Sequence, residues 1–248
     1  NIPLPAPYTT RNAVDLEFLN ENTGWIVGGK PNSTGGGITC IKTTDGGSTW
    51  VAQPIDQNYN FMLMDIDMAD QNTGYFIPST TTSVFKTTNS GNNWFRLTST
   101  PGISSYNKVQ VISNDVIYIS GTVGQLYKST NGGATWNLIV TPLSTVTLSA
   151  MSWLDEKNGL IGGTNGFIAK TTNGGVNWDS YNTGGSNIKN VFIANRDSVF
   201  AVSDFNGSWQ IFRHFGQTSA PMSMILKVGI QGFWDGVSQV SDTIKVSL

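Results

Sequence analysis

Two pairs of carboxylates are the residues of this sequence with the clearest potential for chemistry. Asp65 and Asp67 stand two positions apart in an alternating segment, and Asp15 and Glu17 occupy the equivalent places one repeat earlier. Residues at this spacing share one face of a β-strand, and paired carboxyl groups carry out acid and base catalysis in glycoside hydrolysis. Because the pair recurs between repeats, we expect it to belong to the architecture rather than to a single active site.

A calcium site is a second possibility at the same place. Asp65, Asp67 and Asp70 could supply oxygen ligands, but regular strand spacing does not wrap an ion as a loop does. Asp70 follows the first strand of its repeat, as Asn20 and Asp155 do in theirs, and such residues are typical of turns. We therefore expect turns at these three positions and no bound metal.

Nucleophilic or zinc chemistry has little support in the sequence. His214 is the one histidine and Cys40 the one cysteine, and they are far apart along the chain. A zinc site needs several such ligands, and a nucleophile needs a neighbouring base. We expect His214 to be a packed or surface residue and Cys40 to be a small buried hydrophobic residue.

Aromatic side chains could bind a sugar or a protein through stacking and burial. Trp25 and Tyr75 occupy equivalent positions in successive repeats, which favours core packing. Trp209 and Trp234 have no equivalents in other repeats. These two are the better candidates for a contact surface.

The elements that position these residues come from an internal repeat. Four eight-residue segments, which we call boxes, align without gaps: Thr43–Trp50, Thr87–Trp94, Ser129–Trp136 and Thr171–Trp178. In each box an Asp or Asn hydrogen-bonds the backbone, glycine adopts positive φ, and tryptophan anchors the following strand. The box is thus predicted to be a structural turn whose key residues are Asp45, Gly47, Trp50, Asn89, Gly91, Trp94, Asn131, Gly133, Trp136, Asn173, Gly175 and Trp178.

Four short strands per repeat of about 43 residues indicate the blade of a β-propeller. The chain is therefore predicted to be all-β, with a five-bladed propeller of four-stranded antiparallel blades over residues 12–218. The fifth unit has no box and supplies only three strands, Ile188–Asn195, Ser198–Ser203 and Trp209–His214. Its fourth strand would come from the N-terminal arm, residues 1–11, or from the C-terminal tail.

The boxes resemble the Asp-box, or bacterial neuraminidase, repeat. The longer unit, with Asn22-Thr23-Gly24-Trp25 and Gly28-Gly29 ahead of its box, is similar to the propellers related to the photosystem II stability/assembly factor. The resemblance implies a propeller and a binding or scaffolding role. The assembly factor carries an arginine patch, whereas this chain has only Arg11, Arg96, Arg196 and Arg213.

A sialidase is the enzyme that the boxes suggest first. That family uses an arginine triad, a Tyr/Glu pair and an aspartic acid on six blades. The four arginines and three glutamates of this chain cannot be aligned with those roles. We therefore predict no catalytic residues, no cofactor and no enzymatic activity.

Composition narrows the range of partners. Charged residues make up 12% of the chain, the net charge is −2 and no basic run occurs, so nucleic acid is not expected as a partner. No apolar stretch reaches the length of a membrane span. The sparse charge, the single cysteine and an initial Asn1 favour a secreted bacterial protein at the cell surface.

The tail, residues 219–248, is similar to the start of a β-domain found in large secreted proteins of Bacteroidetes and Ignavibacteria. It offers two strands, Met222–Gln231 and Thr243–Leu248, and an isolated pair of strands is only marginally stable. Its apolar residues Ile225, Val228 and Ile230 therefore need a cover, on the same chain or on another. Two functions follow: a scaffold in a surface or filamentous assembly joined through terminal strands, or a monomeric propeller that binds protein or glycan.

Overall fold

The protein is all-β in a computed structural model that describes residues 12–29, 38–55, 62–79, 82–205, 208–215 and 225–228. The predicted arm, together with Ile230, Trp234 and the expected strand Thr243–Leu248, lies outside the described residues. Within them the only helical segment is a 3₁₀ turn at Thr164–Gly166, and no helix there has the length and apolarity to cross a membrane.

Residues 1–140 form one compact unit and contain three four-stranded blades. Blade 1 consists of β1 (Asn12–Phe18), β2 (Gly24–Gly29), β3 (Ile38–Thr43) and β4 (Val51–Ala52). Blade 2 consists of β5 (Leu63–Met68), β6 (Gly74–Pro78), β7 (Phe85–Thr87) and β8 (Phe95–Arg96). Blade 3 consists of β9 (Tyr106–Val111), β10 (Ile117–Gly121), β11 (Leu126–Ser129) and β12 (Asn137–Ile139).

Residues 141–248 form a second compact unit with two blades. Blade 4 consists of β13 (Leu148–Trp153), β14 (Gly159–Gly163), β15 (Phe167–Thr171) and β16 (Asp179–Asn182). Blade 5 consists of β17 (Ile188–Asn195), β18 (Ser198–Phe205), β19 (Ser208–Phe215) and β20 (Ile225–Val228). Every pairing is antiparallel between strands consecutive in the chain, so the prediction of five four-stranded propeller blades is confirmed.

The fourth strand of blade 5 comes from the C-terminal tail. Val228 lies opposite Trp209, and Ile225 lies opposite Phe212. This strand therefore extends the propeller sheet, which is one of the two completions of blade 5 that the sequence left open.

The core lies between the faces of neighbouring blades. The cluster between blades 1 and 2 joins Trp25, Val27, Cys40, Ile55, Leu63, Ile66, Met68, Phe76 and Phe85. Equivalent clusters lie between blades 2 and 3 and between blades 4 and 5. Trp25 and Tyr75 are both completely buried, which confirms that they pack in the core. Cys40 is buried as predicted, and burial raises the pKa of its thiol to about 12.

In three of the blades, a bulge between the first and second strands brings backbone atoms close to a glycine of the second strand. The register shifts where β10 meets β9, beside Gly121, and the backbone of Ser105 runs directly over this glycine. A Cβ at Gly121 would collide with the Ser105 carbonyl oxygen. Gly28 and Gly163 face the carbonyl oxygens of Asn12 and Thr147 in the same way.

We expect Gly121→Ala to lower the free energy of unfolding by about 2 kcal/mol, because the added methyl group forces two paired backbones apart. Urea denaturation followed by tryptophan fluorescence measures the loss. Thr122→Ala, at the neighbouring position, is the control and should change stability by less than about 0.5 kcal/mol. Equal losses in the two variants would show that the close approach is not what selects glycine.

Candidate functional site

Each box forms the turn between the third and fourth strands of its blade, as predicted. In the first box the Thr43 hydroxyl accepts the Gly47 N–H at 2.8 Å and donates to Asp45 Oδ1 at 2.8 Å. Asp45 in turn accepts the Thr49 N–H at 2.8 Å and the Thr49 hydroxyl at 2.6 Å. These bonds lower the pKa of Asp45 to about 2. Its carboxylate is therefore fully engaged in holding the turn.

Asparagine does the same work in the other three boxes. The side-chain oxygens of Asn89, Asn131 and Asn173 each accept the N–H four residues on at 2.9 Å. Since a neutral amide replaces the carboxylate without change of geometry, the box has no need of charge. This geometry supports a structural role and gives no support to a catalytic or metal-binding one.

The box tryptophans differ in detail from the prediction. Each lies directly before the fourth strand and is half-buried, not fully buried. Trp50 donates its indole N–H to the Gly47 carbonyl at 3.0 Å, and Trp178 donates to Gly175 at 3.1 Å. In these two boxes the ring closes over its own turn, whereas Trp136 donates to the Ser99 carbonyl at 3.3 Å.

The lysines before the first, second and fourth boxes each donate to a carbonyl group of the next blade, and this role was missed by sequence reasoning. Lys42 Nζ lies 4.9 Å from the centre of the Trp25 ring and donates to the Ser90 carbonyl of the next box at 3.3 Å. Lys86 repeats the arrangement with Tyr75 at 5.2 Å and the Gly132 carbonyl at 3.3 Å. Lysine at a fixed place before all four boxes was the signal that could have revealed it.

Lys42 and Ser90 form the arrangement closest to a nucleophile with a base. Ser90 occupies a left-handed position, φ 66°, where the other boxes have glycine, and its hydroxyl lies 2.6 Å from Lys42 Nζ. Burial lowers the pKa of Lys42. Serine–lysine pairs of this kind act as nucleophile and base in some hydrolases.

The hydrogen bonds around Ser90 argue against that chemistry. The hydroxyl donates to the Gln71 carbonyl at 2.6 Å, so its proton points away from the lysine. The amides of Ser90, Gly91 and Asn92, which could stabilise an oxyanion, are all bound to other acceptors. We interpret the pair as a link between blades 1 and 2.

The predicted carboxylate pairs lie on the first strands, and Asp15, Asp65 and Asp67 bind the next blade. Asp15 accepts the Ile66 N–H of blade 2 at 3.1 Å. Asp65 accepts the Val109 N–H of blade 3 at 2.7 Å and forms an ion pair with Lys108 at 2.5 Å. The pairs thus act in the architecture, as the repeated spacing predicted.

Asp70, a ligand in the calcium hypothesis, holds a turn through hydrogen bonds to the backbone. Asp70 accepts the amides of Asn72 and Thr73 at 2.7 Å each, and these bonds lower its pKa. Asn20 and Asp155 hold the same turn in their blades, as predicted. Among the described residues no group of three or more His, Cys, Asp or Glu could hold a metal ion.

Only some of the predicted contact residues lie in the described part of the chain. Trp209 lies on β19 and pairs with Val228, while Ile225 and Val228 lie on the outer strand β20. His214, on β19, pairs with Val199. Ile230 and Trp234 lie outside the described residues, so the proposed contact surface stays a prediction.

Exposed apolar side chains lie on several outer strands. Val51 on β4 is 64% exposed, Phe95 on β8 is 47% exposed and Leu138 on β12 is 53% exposed. Phe95 stands where blades 3 and 4 have Asn137 and Asp179, since all three face the lysine that precedes the box. Val51 occupies the same position in blade 1, so two of the four box-containing blades present an exposed apolar side chain there.

We expect Thr171→Val to lower the free energy of unfolding by about 1–2 kcal/mol, because the buried Gly175 N–H loses its acceptor, now at 2.9 Å. Thermal and urea denaturation measure the loss. The adjacent exposed Thr172→Val is isosteric and should be nearly neutral. If both variants are equally stable, the hydroxyl does not hold the turn.

Two solved structures of YCF48 share the fold of this chain. A structure titled "YCF48 bound to D1 peptide" superposes with a TM-score of 0.66 at 19% identity, covering 85% of this chain and 65% of that one. YCF48 from Cyanidioschyzon merolae superposes with a TM-score of 0.67 at 17% identity, covering 90% and 74% of the two chains. The chain thus spans just under two thirds of the peptide-bound YCF48.

Propellers of glycoside hydrolases share the fold as well. The GH74 enzyme of Niastella koreensis superposes with a TM-score of 0.67 at 18% identity, covering 84% of this chain but only 37% of that one. A search of curated proteins gives no match. At the level of sequence, residues 5–150 match the family described as "Photosynthesis system II assembly factor YCF48". This match covers more than half of the chain, and the protein therefore belongs to the YCF48 assembly-factor family.

Proposed function

We propose that this chain is a non-enzymatic binding module that holds a protein partner through a peptide segment. The observation that carries the proposal is membership of the YCF48 family, together with the likeness to a YCF48 that has a peptide bound. Propellers serve many functions, so the choice of a peptide partner rests on this relationship and on the chemistry of the site.

The described polar groups support binding over catalysis. The carboxylates of Asp45, Asp65 and Asp70 and the hydroxyl of Ser90 all have strong hydrogen bonds within the protein. Catalysis needs groups free to exchange protons with a substrate. What remains available for a partner is mainly apolar and neutral polar surface, which suits contact with a polypeptide.

The outer strand of blade 2 is the surface that we would test first. Phe95 and Arg96 are adjacent and both exposed. Aromatic residues and arginine are the side chains that most often dominate the energy of a protein interface. Strand β8 contains only two residues and forms the edge of its sheet, so an extended peptide can add main-chain hydrogen bonds to this edge.

We further propose that the protein works outside the cell, in a surface or filamentous assembly joined through terminal strands. The low charge and the single buried cysteine support the location. The β20 strand supports the mode of joining, because it forms the edge of its sheet. A strand placed in this way can be exchanged between copies.

We expect the purified chain to enrich binding peptides from a random-peptide display library. The Phe95→Ser variant should bind these peptides about tenfold or more weakly, because it loses an anchor residue. Isothermal titration measures the affinities. Leu138→Ser, which also removes an exposed apolar residue from an outer strand, is the control. If no peptide is enriched while a glycan array retains the chain, the glycan-binding alternative is the correct one. If Phe95→Ser binds normally, the peptide lies elsewhere.

The assembly proposal predicts that the full chain forms oligomers or fibres, and that a chain ending at residue 218 is monomeric. The truncation removes β20 and with it the strand available for exchange. Analytical ultracentrifugation and negative-stain electron microscopy measure the outcome, and circular dichroism checks that the truncated chain keeps its β-structure. Monomers in both cases would reject assembly through the C-terminal strand.

A further inference from the structure

One apolar position on the first strand is buried in four blades and exposed in blade 1. A bulge in the pairing with the second strand aligns the five first strands at Asp15, Asp65, Lys108, Ala150 and Asn190. The next residue is apolar in every blade: Leu16, Ile66, Val109, Met151 and Val191. The last four are between 2% and 8% exposed, whereas Leu16 on β1 is 57% exposed.

In blades 2 and 3 the preceding blade covers this position with apolar side chains and a hydrogen-bond acceptor. Ile66 packs in the cluster that contains Trp25 of blade 1, and its N–H donates to the Asp15 carboxylate at 3.1 Å. Val109 packs in the next cluster, and its N–H donates to Asp65 of blade 2 at 2.7 Å. The contact between consecutive blades thus has two halves: a first strand with apolar groups and donors, and a covering face with an acceptor.

The first half of this contact is exposed on β1, where Leu16 and Phe18 form a surface that we call the Leu16 face. Phe18 is 40% exposed, although Met68 and Ile193 at the same place in blades 2 and 5 are 4% and 5% exposed. The Ile193 N–H donates to Ser152 of blade 4 at 3.1 Å. Among the residues that the structure describes, no side chain accepts the N–H of Leu16 or of Phe18. The Leu16 face therefore presents the groups that a covering blade binds.

The second half of the contact is exposed on blade 5. One position of the second strand is at most 2% exposed in blades 1 to 4, where it is occupied by Trp25, Tyr75, Tyr118 and Leu160. In blade 5 this position is Phe200, which is half-buried, and Phe192 opposite it is 61% exposed. Asn190 stands at the position of Asp15 and keeps a side-chain oxygen there. We call Asn190, Phe192 and Phe200 the Phe192 face.

We propose that the Leu16 face of one copy of this chain binds the Phe192 face of a second copy, so that the two copies meet head to tail. Each face is one half of the contact that the repeat forms between consecutive blades, and each is exposed in its own chain. Phe192 and Phe200 cover Leu16 and Phe18 in this contact, and the Asn190 oxygen accepts the Leu16 N–H.

The contact is heterologous, because two different surfaces meet, and it leaves one free face at each end of a pair. Further copies can add at both ends, which gives a filament or a closed ring. The contact depends neither on a peptide partner nor on the exchange of β20, since it uses the first two strands of blade 5 and the first strand of blade 1.

Two substitutions remove one face each. We expect Leu16→Asp and Phe192→Asp each to weaken self-association of the full chain about tenfold or more, because each places a charge within an apolar contact. An equimolar mixture of the two variants should form a one-to-one complex, since each chain supplies the face that the other lacks. Analytical ultracentrifugation over a concentration series measures both results.

Leu138→Asp is the matched control, because Leu138 is an apolar residue of similar exposure, 53%, on the outer strand of blade 3. This variant should associate as the wild-type chain does. Since Leu16 and Phe192 are exposed, circular dichroism should show that all variants keep their β-structure. Equal association of Leu16→Asp and the wild-type chain would overturn the proposal. So would a mixture that associates no more strongly than the double variant Leu16→Asp/Phe192→Asp.

The double variant also separates this contact from strand exchange. Neither substitution touches β20, so exchange of that strand would join copies of the double variant as strongly as copies of the wild-type chain. The chain that ends at residue 218 loses part of blade 5 and therefore does not distinguish the two contacts. Hydrogen exchange at the Leu16 amide detects a cover within one chain, and protection of this amide in a monomeric wild-type chain would overturn the proposal.

Discussion

The hydroxyl-to-amide hydrogen bond inside each box is the interaction on which the rest of the structure depends. A glycine at φ near 87° reverses the chain, and the Thr or Ser hydroxyl four residues earlier accepts its buried N–H. Without that acceptor the tight turn would bury an unsatisfied donor. The turn keeps the fourth strand next to the third, and it presents the carbonyl group that the lysine of the preceding blade binds. In blades 2 and 3 the same local motif therefore builds the blade and joins it to the preceding one.

Several polar groups of this fold connect neighbouring blades. The first strands are joined by carboxylates that accept amides of the next blade, and in blade 5 the Ile193 N–H binds the Ser152 hydroxyl of blade 4 at 3.1 Å. Asp15, Asp65 and Asp67, which suggest catalysis in the sequence, are thus acceptors for main-chain groups of the next blade.

Blade 2 shows how a repeat acquires individual features without losing its fold. Its box has Ser90 at a left-handed position where the others have glycine, and the hydroxyl offsets the backbone cost by binding both Lys42 and Gln71. Its outer strand carries Phe95 at a position that is polar in blades 3 and 4. Such departures from the repeat are where specific function can be added, because the shared positions are already committed to the architecture.

The sequence by itself determined the number of blades, the turns at the boxes, the turns at Asn20, Asp70 and Asp155, and the burial of Trp25 and Tyr75. All of these depend on local hydrogen bonds or on strand periodicity, which a repeated motif records directly. Tertiary structure alone decided which tail completes blade 5, what the lysines before the boxes bind, and where the charges of the first strands meet. Those outcomes depend on contacts between residues about 40 to 50 positions apart, or between a strand edge and a distant tail, and no local pattern encodes them.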